Sequence, residues 1–252
     1  MPVSNVKGIK IYYDDLGKGI PIIFIHPPAM GRKVFFYQTN LADHFRVIFP
    51  DLSGHGDTVG NPKEVSIFGY AAEIVTLMDQ LNIDKAVLCG YSSGGLVAQE
   101  FALSFPERSI AVILAGGYPE VKSKAFQYEH LLGMYFVKHF PEFLAKIISD
   151  SHTKNKQLQK DIFSHMLKAD RHTWYRFYEE SLHYSCVDRL NQLKAPLYLM
   201  YGTRDLVNQH LRCYKKHINF QSAIVKKVSH QLPTKKWQIF NQLITGFIKT
   251  TI

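Results

Sequence analysis

Three residues have the types and the chain order needed to make a hydroxyl nucleophilic. Ser92 sits in Val87-Leu88-Cys89-Gly90-Tyr91-Ser92-Ser93-Gly94-Gly95, where an apolar run meets a serine flanked by glycines. The G-x-S-x-G spacing predicts a sharp strand-to-helix turn with the Ser92 hydroxyl exposed at its apex. A Cβ at Gly90 or Gly94 would collide as the chain doubles back. A serine hydroxyl is a poor nucleophile near neutral pH and needs a base within hydrogen-bond reach, which in turn needs an orienting acid. Asp205 follows the apolar run Leu197–Tyr201 and the turn Gly202-Thr203-Arg204, and His230 follows the run Ile224–Val228 and Ser229. Each of the three comes just after an expected strand, so all three are expected at one edge of a sheet. Their order, Ser then Asp then His, is the order in which such a turn is completed.

The elements that must position them alternate along the chain. Short runs rich in Val and Ile, ended by Gly or Pro, predict buried parallel strands at Ile9–Tyr13, Pro21–Ile25, Arg46–Phe49, Lys85–Cys89, Ile110–Ala115, Leu197–Tyr201 and Ala223–Val228. Helical periodicity predicts helices over Ile67–Leu81, Leu96–Phe105 and a C-terminal segment carrying Trp237, Phe240, Ile244, Phe247 and Ile248 on one face. The expected fold class is α/β: a mostly parallel central sheet with helices on both faces. From about Pro119 to Leu190 the pattern is helical and rich in aromatics, with no convincing strand. Residues 119–190 are therefore expected to form a helical lid inserted into a core made of 1–118 and 191–252, over the carboxyl ends of the strands where such sheets bind ligands.

Composition narrows the function classes. A hydrophobic fraction of 46% with 20% charged residues fits a globular domain, and no apolar run approaches the roughly 20 residues of a spanning helix. The first residues lack the apolar centre of a secretory signal, so the expected location is the cytoplasm. The formal charge of +9 is carried by scattered lysine pairs rather than a basic run interleaved with aromatics, so neither nucleic acid nor membrane is an expected partner. The odd number of cysteines, Cys89, Cys186 and Cys213, suggests no disulfide framework. No metal-ligand spacing is present, and no metal or organic cofactor is expected.

The elbow Gly90-Tyr91-Ser92-Ser93-Gly94, the acid turn ending at Asp205, the late His230 and the loop Pro50-Asp51-Leu52-Ser53-Gly54-His55-Gly56 together resemble the α/β-hydrolase superfamily over nearly the whole chain. The resemblance implies Ser92 as nucleophile, His230 as base and Asp205 as its orienter, with Asp51 and His55 in a structural turn. It also implies an oxyanion hole built from two backbone N–H groups. Ser93 supplies one. The second normally comes from a His-Gly-x loop, which here reads His26-Pro27-Pro28-Ala29-Met30-Gly31, and Pro28 at the x position has no N–H. Either Ala29 donates instead, a side chain or water substitutes, or the hole is crippled at a cost of roughly 3–4 kcal/mol. His26 is expected to brace the loop. The function so implied is hydrolysis of a carboxylic ester, lactone or thioester of a small to medium apolar molecule through an acyl-enzyme. C–C bond hydrolases, aminopeptidases and haloperoxidase-like members keep the same triad, and a ligand-sensing protein with little turnover is the alternative from a different class.

Overall fold

The apolar runs pair into one sheet of eight strands, in the order β1-β2-β4-β3-β5-β6-β7-β8, in a computed structural model that describes residues 3–6, 9–60 and 65–252. The strands are β1 (Val3–Val6), β2 (Ile9–Leu16), β3 (Pro21–Ile25), β4 (Arg46–Pro50), β5 (Ala86–Tyr91), β6 (Ser109–Ala115), β7 (Leu197–Gly202) and β8 (Gln221–Val225). β1, β2 and β4 pair antiparallel, and β4 through β8 pair parallel. The chain runs outward from β3 to β4 and then crosses back to β5 on the other side of β3. That reversal opens a crevice beyond the carboxyl end of β5, the place where α/β sheets bind ligands.

Every residue of β5 and β7 is buried, which is why these strands read as unbroken apolar runs. One face of the sheet is covered by α1 (Ile67–Gln80), α2 (Gly94–Ser104) and α7 (Leu211–His217). The other is covered by a 3₁₀ segment (Arg32–Asp43) and α8 (Trp237–Thr251). α1 starts where Ser66 accepts a hydrogen bond from the Gly69 amide and buries Ile67, Tyr70, Ile74, Leu77 and Met78, the stripe expected from its periodicity. Several expectations shift: β2 runs on to Leu16 and pairs antiparallel rather than parallel, β5 runs on to Tyr91, and β8 lies at the sheet edge, largely exposed rather than buried. α2 begins at Gly94, directly on the elbow. β8 covers Gln221–Val225 rather than 223–228, because Lys227 takes φ 58° and turns the chain out of the sheet before His230.

Between β6 and β7 the chain forms four helices, α3 (Lys124–His139), α4 (Pro141–His152), α5 (Lys156–Met166) and α6 (Arg171–His183). The two ends of this segment meet at an antiparallel bridge between Glu120 and Ser185 and a bond from the Cys186 amide to the Pro119 carbonyl. Its far side is fastened to the loop after β4. His165 Nε2 lies 3.0 Å from Asp51 Oδ1, Lys168 Nζ 2.7 Å from Asp57 Oδ1, and the Asp170 amide donates to the Gly54 carbonyl. Among the described residues, no helix is long and apolar enough to cross a membrane.

Candidate active site

The elbow is drawn as tightly as its spacing demands. Ser92 adopts φ 52°, a left-handed conformation that an L-residue holds only at a cost of order 1–3 kcal/mol and that clusters at functional sites. A Cβ on Gly94 would lie 2.1 Å from the Ile25 carbonyl oxygen, and one on Gly90 would lie 2.5 Å from the Gly95 Cα, so neither position accepts a larger residue.

Ser92 Oγ lies 2.8 Å from His230 Nε2, and His230 Nδ1 lies 3.1 Å from Asp205 Oδ2. The carboxylate accepts the Nδ1 proton, which leaves Nε2 free to accept the serine proton. The other Asp205 oxygen accepts from the Val207 amide at 3.0 Å, which fixes the plane of the carboxylate. Burial alone would lower the His230 pKa, but the hydrogen bond and negative charge of Asp205 outweigh it and raise the imidazole above its ordinary value. The three candidates from three strand ends thus form one continuous relay. Ser92, Ser93, Asp205 and His230 all line a cavity of about 530 Å³, roofed by apolar side chains of α3 and α4 such as Phe126, Leu132, Phe136 and Ile147.

The two oxyanion candidates differ in place. Ser93 heads α2, its backbone helical and its residue 4% exposed on the cavity wall. Ala29 is fully buried and holds φ 62°, at the third position of a turn closed by a 3.3 Å bond from the Met30 amide to the Pro27 carbonyl. With Pro28 in second place this is the type II pattern, which favours Gly at the third. Pro27, Pro28 and Met30 line the cavity; Ala29 does not. His26 braces this turn: its Nδ1 donates to the Pro27 carbonyl at 2.8 Å and its Nε2 accepts from the Leu52 amide at 3.0 Å. Burial keeps it neutral, with its pKa pushed down to about 4.

Asp51 and His55 lie outside the relay. Burial would raise the Asp51 pKa, but the hydrogen bond and charge of His165 and the charge of Arg32 hold it down at about 2. Asp51, Asp57 and His165 are close enough to share a cation, and the Arg32 guanidinium is bonded to both carboxylates there.

Two histidines and a glycine join the site without any warning from their spacing. His152 Nε2 bonds the Tyr91 hydroxyl at 2.9 Å, and His130 Nε2 bonds the Tyr118 hydroxyl at 3.1 Å. Gly116 lies against the His230 ring.

With the geometry in view, comparison with known proteins gives the class. Residues 20–159 match the family model described as the alpha/beta hydrolase fold, and the chain belongs to that family. It is 37% identical over 122 residues to a 2-hydroxy-6-oxo-6-phenylhexa-2,4-dienoate hydrolase of Burkholderia cepacia, covering 44% of this chain and 42% of the relative. It is 32% identical over 126 residues to 3-oxoadipate enol-lactonase 2 of Acinetobacter baylyi, covering 46% of each. The match thus spans less than half the length of these curated relatives. Among solved structures, an esterase from Thermogutta terrifontis superposes with a TM-score of 0.83 at 22% identity, over 96% of this chain and 94% of that one. A bromoperoxidase from Bacillus anthracis superposes with a TM-score of 0.89 at 18% identity, over 98% and 99%. At these identities the likeness is one of fold.

Proposed function

We propose that this chain is a serine hydrolase that cleaves a carboxylic ester, or a lactone or thioester, of a small to medium apolar molecule through an acyl-enzyme. The observation that carries the reading is the relay from Ser92 through His230 to Asp205, at 2.8 and 3.1 Å, opening into a cavity. Ser92 Oγ attacks the acyl carbon while His230 Nε2 takes its proton, and the C=O electron pair moves onto oxygen. When the tetrahedral intermediate collapses, the bond to the leaving oxygen or sulfur breaks and His230 returns the proton to it. A water then attacks the acyl-enzyme, its proton taken by His230, and the acid departs as Ser92 recovers its proton.

The Ser93 amide is the first oxyanion donor. Ala29 carries the next amide on the opposing loop and is the second, which requires it to turn toward the cavity past Pro28. Residues 119–190 serve as the lid over the core 1–118 and 191–252, with its apolar roof contacting the acyl or alcohol chain. The mismatch at Pro28 favours one second reading, a ligand-sensing protein with little turnover.

Steady-state hydrolysis of p-nitrophenyl acetate through octanoate, wild type against Ser92→Ala, separates the two. Repeated turnover lost in the variant supports the hydrolase, and chain-length preference then sizes the cavity. Equal inactivity of both proteins moves ligand sensing ahead.

A further inference from the structure

Several side chains of the cavity wall beside the nucleophile have their protons committed to other protein groups. His130 Nδ1 lies 2.9 Å from the Phe126 carbonyl and His152 Nδ1 lies 2.7 Å from the Ile148 carbonyl. A carbonyl can only accept, so both nitrogens carry the proton. Burial lowers the pKa of both rings and keeps them neutral, which leaves each Nε2 as an acceptor. The Tyr91 and Tyr118 hydroxyls must therefore donate to His152 and His130. With the Tyr118 proton spent, the Ser93 hydroxyl, 2.7 Å away, donates to Tyr118. Ser151 donates to the Ile148 carbonyl at 2.8 Å. Ser229 donates to Gln231 Oε1 at 2.8 Å.

With these protons spent, what such groups can still offer a ligand is lone pairs. Glu129 adds a carboxylate to the same lining, with no hydrogen bond or ion pair of its own among the described residues. Partial burial raises its pKa, against the lowering charge of His230 and together with the raising charge of Asp205. Free side-chain donors on the lining are confined, among the described residues, to Tyr178, Gln231 and the exposed Arg204.

We propose that Glu129 and this proton-accepting wall select esters whose acyl or alcohol part carries a hydrogen-bond donor, an ammonium or a hydroxyl, over esters that carry a carboxylate. The inference rests on the ester-hydrolase reading and names its substrate class. A donor on the substrate satisfies lone pairs that are otherwise stripped of water on binding, whereas a carboxylate meets a majority of acceptors and the like charge of Glu129, offset only by the exposed, water-screened Arg204.

Three chain-matched substrates test it: 4-nitrophenyl 6-aminohexanoate, 4-nitrophenyl hexanoate and mono-4-nitrophenyl adipate. Wild type is expected to favour the amino ester over the adipate by about tenfold or more in kcat/KM, the scale of one hydrogen bond to a charged group. Glu129→Gln shrinks that ratio toward unity, and Glu129→Lys inverts it. Glu129 is exposed on α3, so both variants are expected to fold, which circular dichroism checks. A wild type that hydrolyses all three esters without preference, or prefers the adipate, overturns the inference and leaves the hydrolase reading standing. A ratio unchanged in both variants removes Glu129 from it. Silence toward all three esters sinks the hydrolase reading and this inference with it.

Discussion

Gly116 holds open the space that the His230 imidazole fills: a Cβ on Gly116 would lie 2.7 Å from His230 Cε1 and 2.8 Å from Nδ1. It also sits at φ 59°, where an L side chain is strained. Gly116→Ala is therefore expected to push the base off both the Ser92 and the Asp205 bonds. We expect kcat to fall by about 10²-fold, the order that a displacement near 1 Å can cost, with a smaller change in KM. The ester assay together with a melting curve checks this, since loss of activity should exceed what the drop in Tm explains.

On the proposed hydrolase reading, the pH dependence of turnover follows from the same histidine. Only neutral His230 can take the serine proton, and Asp205 raises its pKa above the ordinary value despite burial. Activity should thus rise with pH through a midpoint above the roughly 6.5 of a free histidine. Asp205→Asn removes the charge and the acceptor for Nδ1–H, so the midpoint should move down. kcat should fall by up to about 10⁴-fold, as the wrong tautomer becomes available. A pH–rate profile for both proteins decides it, and an unmoved midpoint would detach Asp205 from the base.

On the same reading, Pro28 stands where the oxyanion loop would place a backbone donor, and Pro28→Ala supplies an N–H there without adding bulk. If that missing donor limits the rate, kcat should rise, by up to about 10²-fold, with KM little changed. An unchanged kcat would mean that another group, such as the Ala29 amide, already serves.

Acid should unfold the protein in stages. Burial lowers the pKa of His26 and His152 to about 4 and of His55 to about 3. Below about pH 6.5 the unfolded chain therefore binds protons that the folded chain refuses, and stability falls with pH, by ~1.4 kcal/mol per pH unit for each such group. Glu73, pushed up to about 7 by burial, works in the opposite direction between its ordinary value and pH 7. The Asp51 contribution is present above about pH 4 and is lost as the carboxylate protonates toward about 2. Urea unfolding at several pH values measures the slope, and His152→Gln should reduce it by one proton near pH 5.

Much of the relay was legible in the sequence because each member stands directly after an apolar run closed by glycine or a turn, and strand ends share an edge. Ser92, Asp205 and His230 needed only order and local pattern. His130 and His152 were not legible: each bonds a tyrosine hydroxyl, Tyr118 in the loop after β6 and Tyr91 at the end of β5, and nothing in their spacing separates them from the other ten histidines. Gly116 was equally silent, since its role is the space beneath a side chain more than a hundred residues away. The absent donor at Pro28 could be read from residue type alone. The buried placement of Ala29 at positive φ could not, because it depends on how the turn closes. The end of β8 was misplaced for a local reason: Lys226-Lys227-Val228 continues the strand pattern, while the backbone turns at Lys227.

The central claim is that Ser92 becomes covalently bound during the reaction. Labelling the intact protein with a fluorophosphonate, followed by peptide mapping, tests it most directly. We expect one label per chain, on Ser92 and not on the adjacent Ser93, with none on Ser92→Ala and little on His230→Ala. A wild type that resists labelling, or a Ser92→Ala variant that labels equally well, would contradict the account.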